Sequence, residues 1–431
     1  MSFAFALCLV TLMGLAAIGM PIAYAILVSS IAYLWAAGDG IGLAGKILLD
    51  GMYGSFILLA VPLFIVAANI MNAGTISDRL LRFCVGLVGR FKGGLGHVNV
   101  VASLIFSGMS GSAVADAAGI GKIIIDMMVK SGHYTRGYAA AITAASATIG
   151  PIIPPSIPMV LYALVSNTSI GFLFLAGILP GLLMGAVLMA MNWWISHRRK
   201  FGVEDPVPMS EMPRLTVEAF PALLMPAILL YGIYGGVTTP TEAAAVAALY
   251  ALLLAGFFYR ALSVRNFYGI LVDSARSSAA VGIVIGGALI LNYIVASENI
   301  PDMMANAMAG LDVAPLTFLL GVNILLLLLG CVLDASTIIL VIIPLFIPTC
   351  NLLGIDLVHF GVVAVVNCMI GLITPPYGIL LFVINAVTRI PLAEIIRDVW
   401  PFLGALLIAL MALILIPEIT LFLPRMFGYQ G

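Results

Sequence analysis

Charge is what this sequence has least of. Only 9% of its 431 residues are Asp, Glu, Lys or Arg, against about 25% in a soluble globular domain. Too few charges exist to cover a water-facing surface, which excludes a soluble protein. The net charge of −1 denies it the basic footprint of a nucleic-acid binder. Histidine is scarce too: His97, His133, His197 and His359 show no ligand spacing. The cysteines Cys8, Cys84, Cys331, Cys350 and Cys368 lie scattered, mostly within apolar runs. They point to packing and not to a disulfide framework or a metal centre. No G-x-x-x-x-G-K-[ST] loop is present, so nothing would cradle the phosphates of ATP, and a primary pump is disfavoured. No basic residue precedes Lys46. The apolar start MSFAFALCLVTLMG therefore reads as a retained membrane helix and not as a cleaved signal.

What is abundant is apolar length. Hydrophobic residues make up 63% of the chain, and runs of about 20 residues, enough to cross a bilayer, recur along it. A membrane β-barrel would show short alternating strands instead. The predicted fold is an all-α polytopic membrane protein with on the order of ten spans. Whether residues 3–37 form one tilted span or two short ones is left open by the pattern, and the N-terminal orientation with it.

Lys and Arg favour cytoplasmic loops. They cluster at 79–92, 122–136, 198–214, 260–276 and 389–397, whereas YGGVTTP (234–240), ENIPDMMANAMAGLDVAP (298–315) and NLLGID (351–356) contain none. The first group is placed in the cytoplasm and the second outside. The segment between Lys92 and Lys122 then begins and ends in the cytoplasm, with the polar centre SGMSGSAVADAAG (107–119). It reads as a hairpin that enters the membrane and returns. Residues 315–351, centred on GCVLDASTIIL (330–340), begin and end outside and read as a second hairpin from the opposite face.

Each hairpin is followed by a double-proline break in an apolar segment. IGPIIPPS (149–156) and IGLITPPY (370–377) agree at five of eight positions. One such break is commonly a helix kink. Two, each behind a polar hairpin of opposite orientation, indicate inverted repeats, the pattern of secondary transporters whose sites lie where discontinuous helices meet. Freed carbonyls at such breaks suit a cation, and half-helix N-termini suit an anion. Ser110 and Ser112 fall at the first tip. A membrane serine often bonds back to its own helix, but a Gly-Ser-rich tip facing a break favours a functional reading. Asp334 is the counterpart at the second tip, and an intramembrane carboxylate is costly enough to imply function, with a helix cap as the structural alternative. Asn367 and Ser156 are weaker candidates for contacting substrate. Asp116 reads as a cap on the returning helix, Glu242 as an N-terminal helix signal, Arg276 as a snorkelling side chain, and Trp193–Trp194 as an interfacial belt. An intramembrane serine protease is the best enzyme alternative, since GMSG (108–111) places Ser110 in a G-x-S-G pattern. A nucleophilic serine needs a base within reach, and no histidine is placed at midplane. A passive anion channel is the other alternative.

At SGSAVADAAG (110–119), AAITAASATIGPIIPPSIPMVLY (140–162), TTPTEAAA (238–245), LDASTIILVIIPLFIPTCNLLGIDLVHFGVV (333–363) and IGLITPPYGILLF (370–382), the chain resembles the large membrane subunit of the TRAP (tripartite ATP-independent periplasmic) transporters, the DctM-like family. The stretches run in family order over most of the chain. The resemblance implies sodium-coupled import of an organic anion across the bacterial inner membrane. The implied partners are a small four-helix membrane subunit and a periplasmic substrate-binding protein. It also implies an elevator-type fold, with 1–92 and 172–312 as scaffold (the cytoplasmic linker near 198–214), 93–171 and 313–390 as the two repeats of a transport domain, and 391–431 as a C-terminal helix. One sodium site would be lined by Ser110, Ser112 and the backbone near Gly150, Ile153 and Pro155. The second would use Asp334, Gly371, Thr374 and Tyr377. Sialic acids, C4-dicarboxylates, keto acids and sugar acids fit the sequence equally well.

Overall fold

The computed structural model describes residues 2–72, 75–203, 207–310 and 313–431. Residues 204–206 of the linker and 311–312, which belong to the outer turn 298–315 and end the 172–312 segment, lie outside the described residues. Among the described residues every regular element is helical. Five helices among the described residues are long and apolar enough to cross a membrane: Ile170–Arg198, Met212–Tyr234, Pro240–Phe258, Val264–Ser297 and Leu392–Leu415. A sixth span is available if Gly42–Gly54 and Phe56–Met71, bent by 73° at their junction, count as one. Eight shorter apolar helices carry much of the remainder. The spans foreseen as continuous runs are thus partly built from shorter pieces.

The N-terminal ambiguity resolves into two helices, Phe3–Ala17 and Ile22–Ala37, packed on each other. Gly19 (φ +88°) turns the chain between them, and Pro21 starts the second. The Ser2 backbone N–H donates to Glu298 at 3.2 Å. Glu298 ends the helix Val264–Ser297, so the chain start lies on the face that the charge map assigns to the outside.

Two halves repeat element by element. Helix Gly94–Ser110 corresponds to Pro315–Gly330 and Arg136–Ala147 to Leu357–Gly371, each pair starting 221 residues apart (315 minus 94; 357 minus 136). The Ser112 side chain caps the returning helix by accepting from Ala115 N–H, as Asp334 does from Thr337 N–H. One turn later each returning helix widens into a π-helical turn, Ala117–Gly121 and Ile338–Ile342, again 221 apart. The breaks carry cis peptides at Pro154-Pro155 and Pro375-Pro376. After them come Ile157–Ser166 and Ile379–Thr388, closed by Asn167 and Arg389 in the left-handed conformation. The long helices Ile170–Arg198 and Leu392–Leu415 follow.

The helices before the breaks form the centre of this body. Residues 137–147 and 358–371 are buried throughout, which is why they read as apolar or small on every face. Leu392–Leu415 lies along Arg136–Ala147, and a Cβ on Gly137 would come within 2.7 Å of the Glu394 carbonyl. Glycine is required there for the close approach. Ile170–Arg198 packs on Gly94–Ser110, Leu357–Gly371 and Leu392–Leu415. The C-terminal segment, expected as one helix, breaks at Ile416–Pro417 and resumes as Glu418–Met426, because Pro417 removes an N–H and favours a helix start.

Candidate functional site

Each hairpin tip meets the break of its own repeat. At the first, Gly111 (φ +59°) ends the outgoing helix, and a Cβ there would lie 2.5 Å from the Pro155 carbonyl oxygen. At the second, a Cβ on Gly371 would lie 2.7 Å from Gly330 Cα, and Gly378 N–H donates to Cys331 O at 3.2 Å. Both tips then open onto one cavity of about 230 Å³. Gly111, Ser112 and Pro151 line it from one repeat, and Asp334, Ser336 and Leu372 from the other. Val281, from the helix Val264–Ser297, forms part of the wall. Asp334 is its one charged side chain, and no Lys, Arg or His stands among the described residues that line it.

The first tip holds a residue that sequence reasoning took for a cap. Asp116 is buried and lies one turn inside the returning helix, which Ser112 caps instead. The Ser110 hydroxyl donates to Asp116 Oδ1. Asp116 Oδ2 has no hydrogen-bond partner among the described residues and faces Gly150, where any Cβ would collide with it. Ser110 and Gly150 are therefore brought together around an acid, while the Pro155 carbonyl approaches Gly111 at the tip and Ser112 faces the cavity. Ile153 turns its side chain onto Gly181, leaving only its backbone available. A signal existed: aligned on the repeat, Asp116 matches Thr337, and Ser112 nearly matches Asp334. The acid and the hydroxyl have changed places between the halves, so the first tip buries its carboxylate toward the break. The second turns its own toward the cavity.

At the second tip both Asp334 oxygens are engaged by Thr337, through its N–H (3.2 Å) and its hydroxyl (2.5 Å). Thr374 donates its hydroxyl to Ile370 O at 2.8 Å. Tyr377 is 58% exposed, its ring tilts against Phe382 at 6.5 Å, and it does not line the cavity. The two weaker substrate candidates do not line the cavity. Ser156 donates to Pro151 O and caps Ile157–Ser166. Asn367 donates its Nδ2 to Asn323 O and Oδ1 at 2.8 and 2.7 Å, and its own Oδ1 is buried with no hydrogen-bond partner among the described residues. Its counterpart Ser146 bonds Asn99 Oδ1 at 2.9 Å. In each repeat an asparagine on the outgoing helix thus ties it to the helix before the break. A lone amide in an apolar helix must find such a partner.

The remaining candidates are structural. Glu242 forms a reciprocal capping box with Thr239, and Arg276 is exposed beside Asp273 at 3.8 Å. The Ser110 hydroxyl is held by a carboxylate and not by an imidazole, which is not the arrangement of a serine nucleophile.

Two helical repeats whose broken segments share one polar-tipped cavity define a membrane transporter. The description "Tripartite ATP-independent periplasmic transporter, DctM component" matches residues 9–419, and the chain belongs to that family. It is 42% identical over 419 residues to the sialic acid TRAP transporter large permease protein SiaM of Vibrio cholerae, covering 97% of this chain and 98% of that one. It is 35% identical to the C4-dicarboxylate TRAP transporter large permease protein DctM of the same organism, covering 98% of each. The crystal structure of the Alcanivorax borkumensis YdaH transporter shares the fold, with a TM-score of 0.63 at 16% identity over 88% of this chain and 89% of that one. The chain is accordingly a large permease subunit, a multi-pass inner-membrane protein and not an enzyme. Large permease subunits of this family work with a substrate-binding protein and a small membrane subunit.

Proposed function

We propose that this subunit imports a hydroxylated organic acid together with sodium. In this reading the two hairpins are re-entrant from opposite faces and move with their broken helices as one body, elevator-fashion, against the remaining helices. The observation that carries it is the first tip. A buried carboxylate oxygen without a hydrogen-bond partner among the described residues faces Gly150 of the break, a serine hydroxyl holds the other oxygen, and the Pro155 carbonyl stands against Gly111 of the same tip. These are hard oxygen donors, suited to a hard cation, and a buried charge left unpaired would be costly. At the second tip, main-chain carbonyls of the hairpin and of residues 371–377 would take the same part, with Thr374 supporting them.

The cavity supports the substrate class. Asp334 can accept from hydroxyl or amide groups, while the substrate carboxylate would face the tip backbone and the start of helix Ile157–Ser166. A relative named for sialic acid, an acid rich in such donors, agrees with that. The partners would be a separate four-helix membrane subunit and a periplasmic binding protein that delivers the substrate.

Uptake into liposomes tests this, using the chain with its small subunit and loaded binding protein. Accumulation above the outside concentration is expected with an inward sodium gradient, and none without it. Sodium-independent flux that stops at equal concentrations would overturn the proposal in favour of a passive channel.

A further inference from the structure

A second cavity, of about 520 Å³, opens where the first hairpin begins. It lies between the turn that follows helix Thr75–Val88, the start of Gly94–Ser110, and the last turns of Ile170–Arg198. Its size is that of a small-molecule site, and it is unrelated to the tips. The walls are apolar: Phe91, Met189 and Trp193. Phe91 and Trp193 are each about half exposed, which favours lipid over water against those rings. Every ionisable side chain that lines it is basic: Lys92, His97 and His197.

The two histidines are held in place. The His97 ring meets Phe91 edge-on at 6.3 Å. The His197 ring tilts against Trp193 at 4.5 Å, and its Nδ1 lies 2.8 Å from Trp193 O. A carbonyl partner requires Nδ1 to donate, which leaves Nε2 unengaged by that bond. Further positive charge stands on the rim, with Arg90 over Phe91 and Arg198 over Trp194. The cleft sits in two of the basic clusters that mark the cytoplasmic face, beside a Trp pair of the kind found at headgroup level.

We propose that this cleft binds one anionic phospholipid of the inner leaflet. Its phosphate would sit at Lys92 and His197, and its acyl chain against Phe91, Met189 and Trp193. The charge pattern argues for lipid over protein: a basic pocket between membrane helices on the cytoplasmic side matches a lipid headgroup, and the apolar walls match its tail. Bound there, the lipid would bridge the helix that precedes the hairpin and the long helix that follows the first break.

Native mass spectrometry of the purified full chain, in micelles doped with phosphatidylglycerol or phosphatidylcholine, tests this. One phosphatidylglycerol should be retained preferentially. Lys92→Gln with His197→Gln should cut that retention roughly tenfold, while Arg265→Gln, elsewhere on the basic face, should not. Both changed side chains lie near the surface, so folding is expected to survive, and an unchanged elution profile checks it. A photoreactive residue at Met189, in vesicles of inner-membrane composition, should crosslink to lipid. Equal retention of the two lipids, retention unaffected by the double substitution, or crosslinking of Met189 to a protein would each overturn the proposal.

Discussion

Replacing Asp116 with Asn isolates the charge at the first tip. The change preserves shape, and an amide oxygen can still accept from Ser110, so the hairpin should close as before. What disappears is the negative charge whose free oxygen faces Gly150. A charge-assisted contact is worth about 1.5–3 kcal/mol, which at about 1.4 kcal/mol per decade is roughly tenfold to over a hundredfold in sodium affinity. Thermal unfolding reads it directly. At a sodium concentration 100 times the dissociation constant, a bound ion adds about 2.7 kcal/mol, and a hundredfold weaker site leaves about 0.4 kcal/mol. The wild-type melting temperature should therefore rise with sodium at constant ionic strength, and that of Asp116→Asn should hardly move. Without sodium the order should invert or vanish, because a buried unpaired carboxylate costs more than a neutral amide. Potassium in place of sodium controls for screening. A well-folded Asp116→Asn protein with the wild-type sodium shift and the wild-type sodium curve for uptake would refute the reasoning.

Asp334→Asn should keep its cap, since Asn caps helices as well as Asp does, yet weaken apparent substrate affinity about tenfold, a charge-assisted contact being lost; unchanged uptake kinetics would leave Asp334 as a cap alone. Gly111→Ala places a Cβ 2.5 Å from the Pro155 oxygen in a conformation costing about 1–3 kcal/mol for a non-glycine residue, so transport should be lost while the protein still reaches the membrane; wild-type uptake would deny the close contact of tip and break. For the opposed hairpins, Arg90→Cys should label from the cytoplasm and Ala314→Cys from the periplasm in a cysteine-free background, with both labelling from one side as the contrary result; Gly94 cannot serve, because a Cβ there strikes the Gly89 carbonyl. The Glu298 carboxyl is held below its usual range, first by its hydrogen bond from Ser2. A lowered folded pKa means the contact contributes above the normal carboxylate range and is lost as pH falls through the folded value, so Glu298→Gln should melt below the wild type at neutral pH and match it under acid conditions, an equal gap at both pH values being the contrary result.

Much of this protein is determined locally, and that part is readable along the chain. Apolar length with scarce charge defines a membrane protein, because each residue meets lipid or water independently of its neighbours in space. The breaks at Pro154-Pro155 and Pro375-Pro376 are read from proline chemistry alone, and the two hairpins from a run of small and polar residues between charge clusters. The direction in which a polar side chain points is a different matter, since it depends on which distant backbone reaches it first. Asp116 looked like a cap until the fold carried Gly150 against it and gave the cap to Ser112. Ser156 looked available until Pro151 took its hydrogen bond, and the Asn367 amide N–H groups until Asn323 did. Asp334 and Asp116, which occupy exchanged positions in the two tips, face a cavity and a break respectively. A buried polar group must find a partner, and only the packing of helices far apart in sequence decides which partner is in reach.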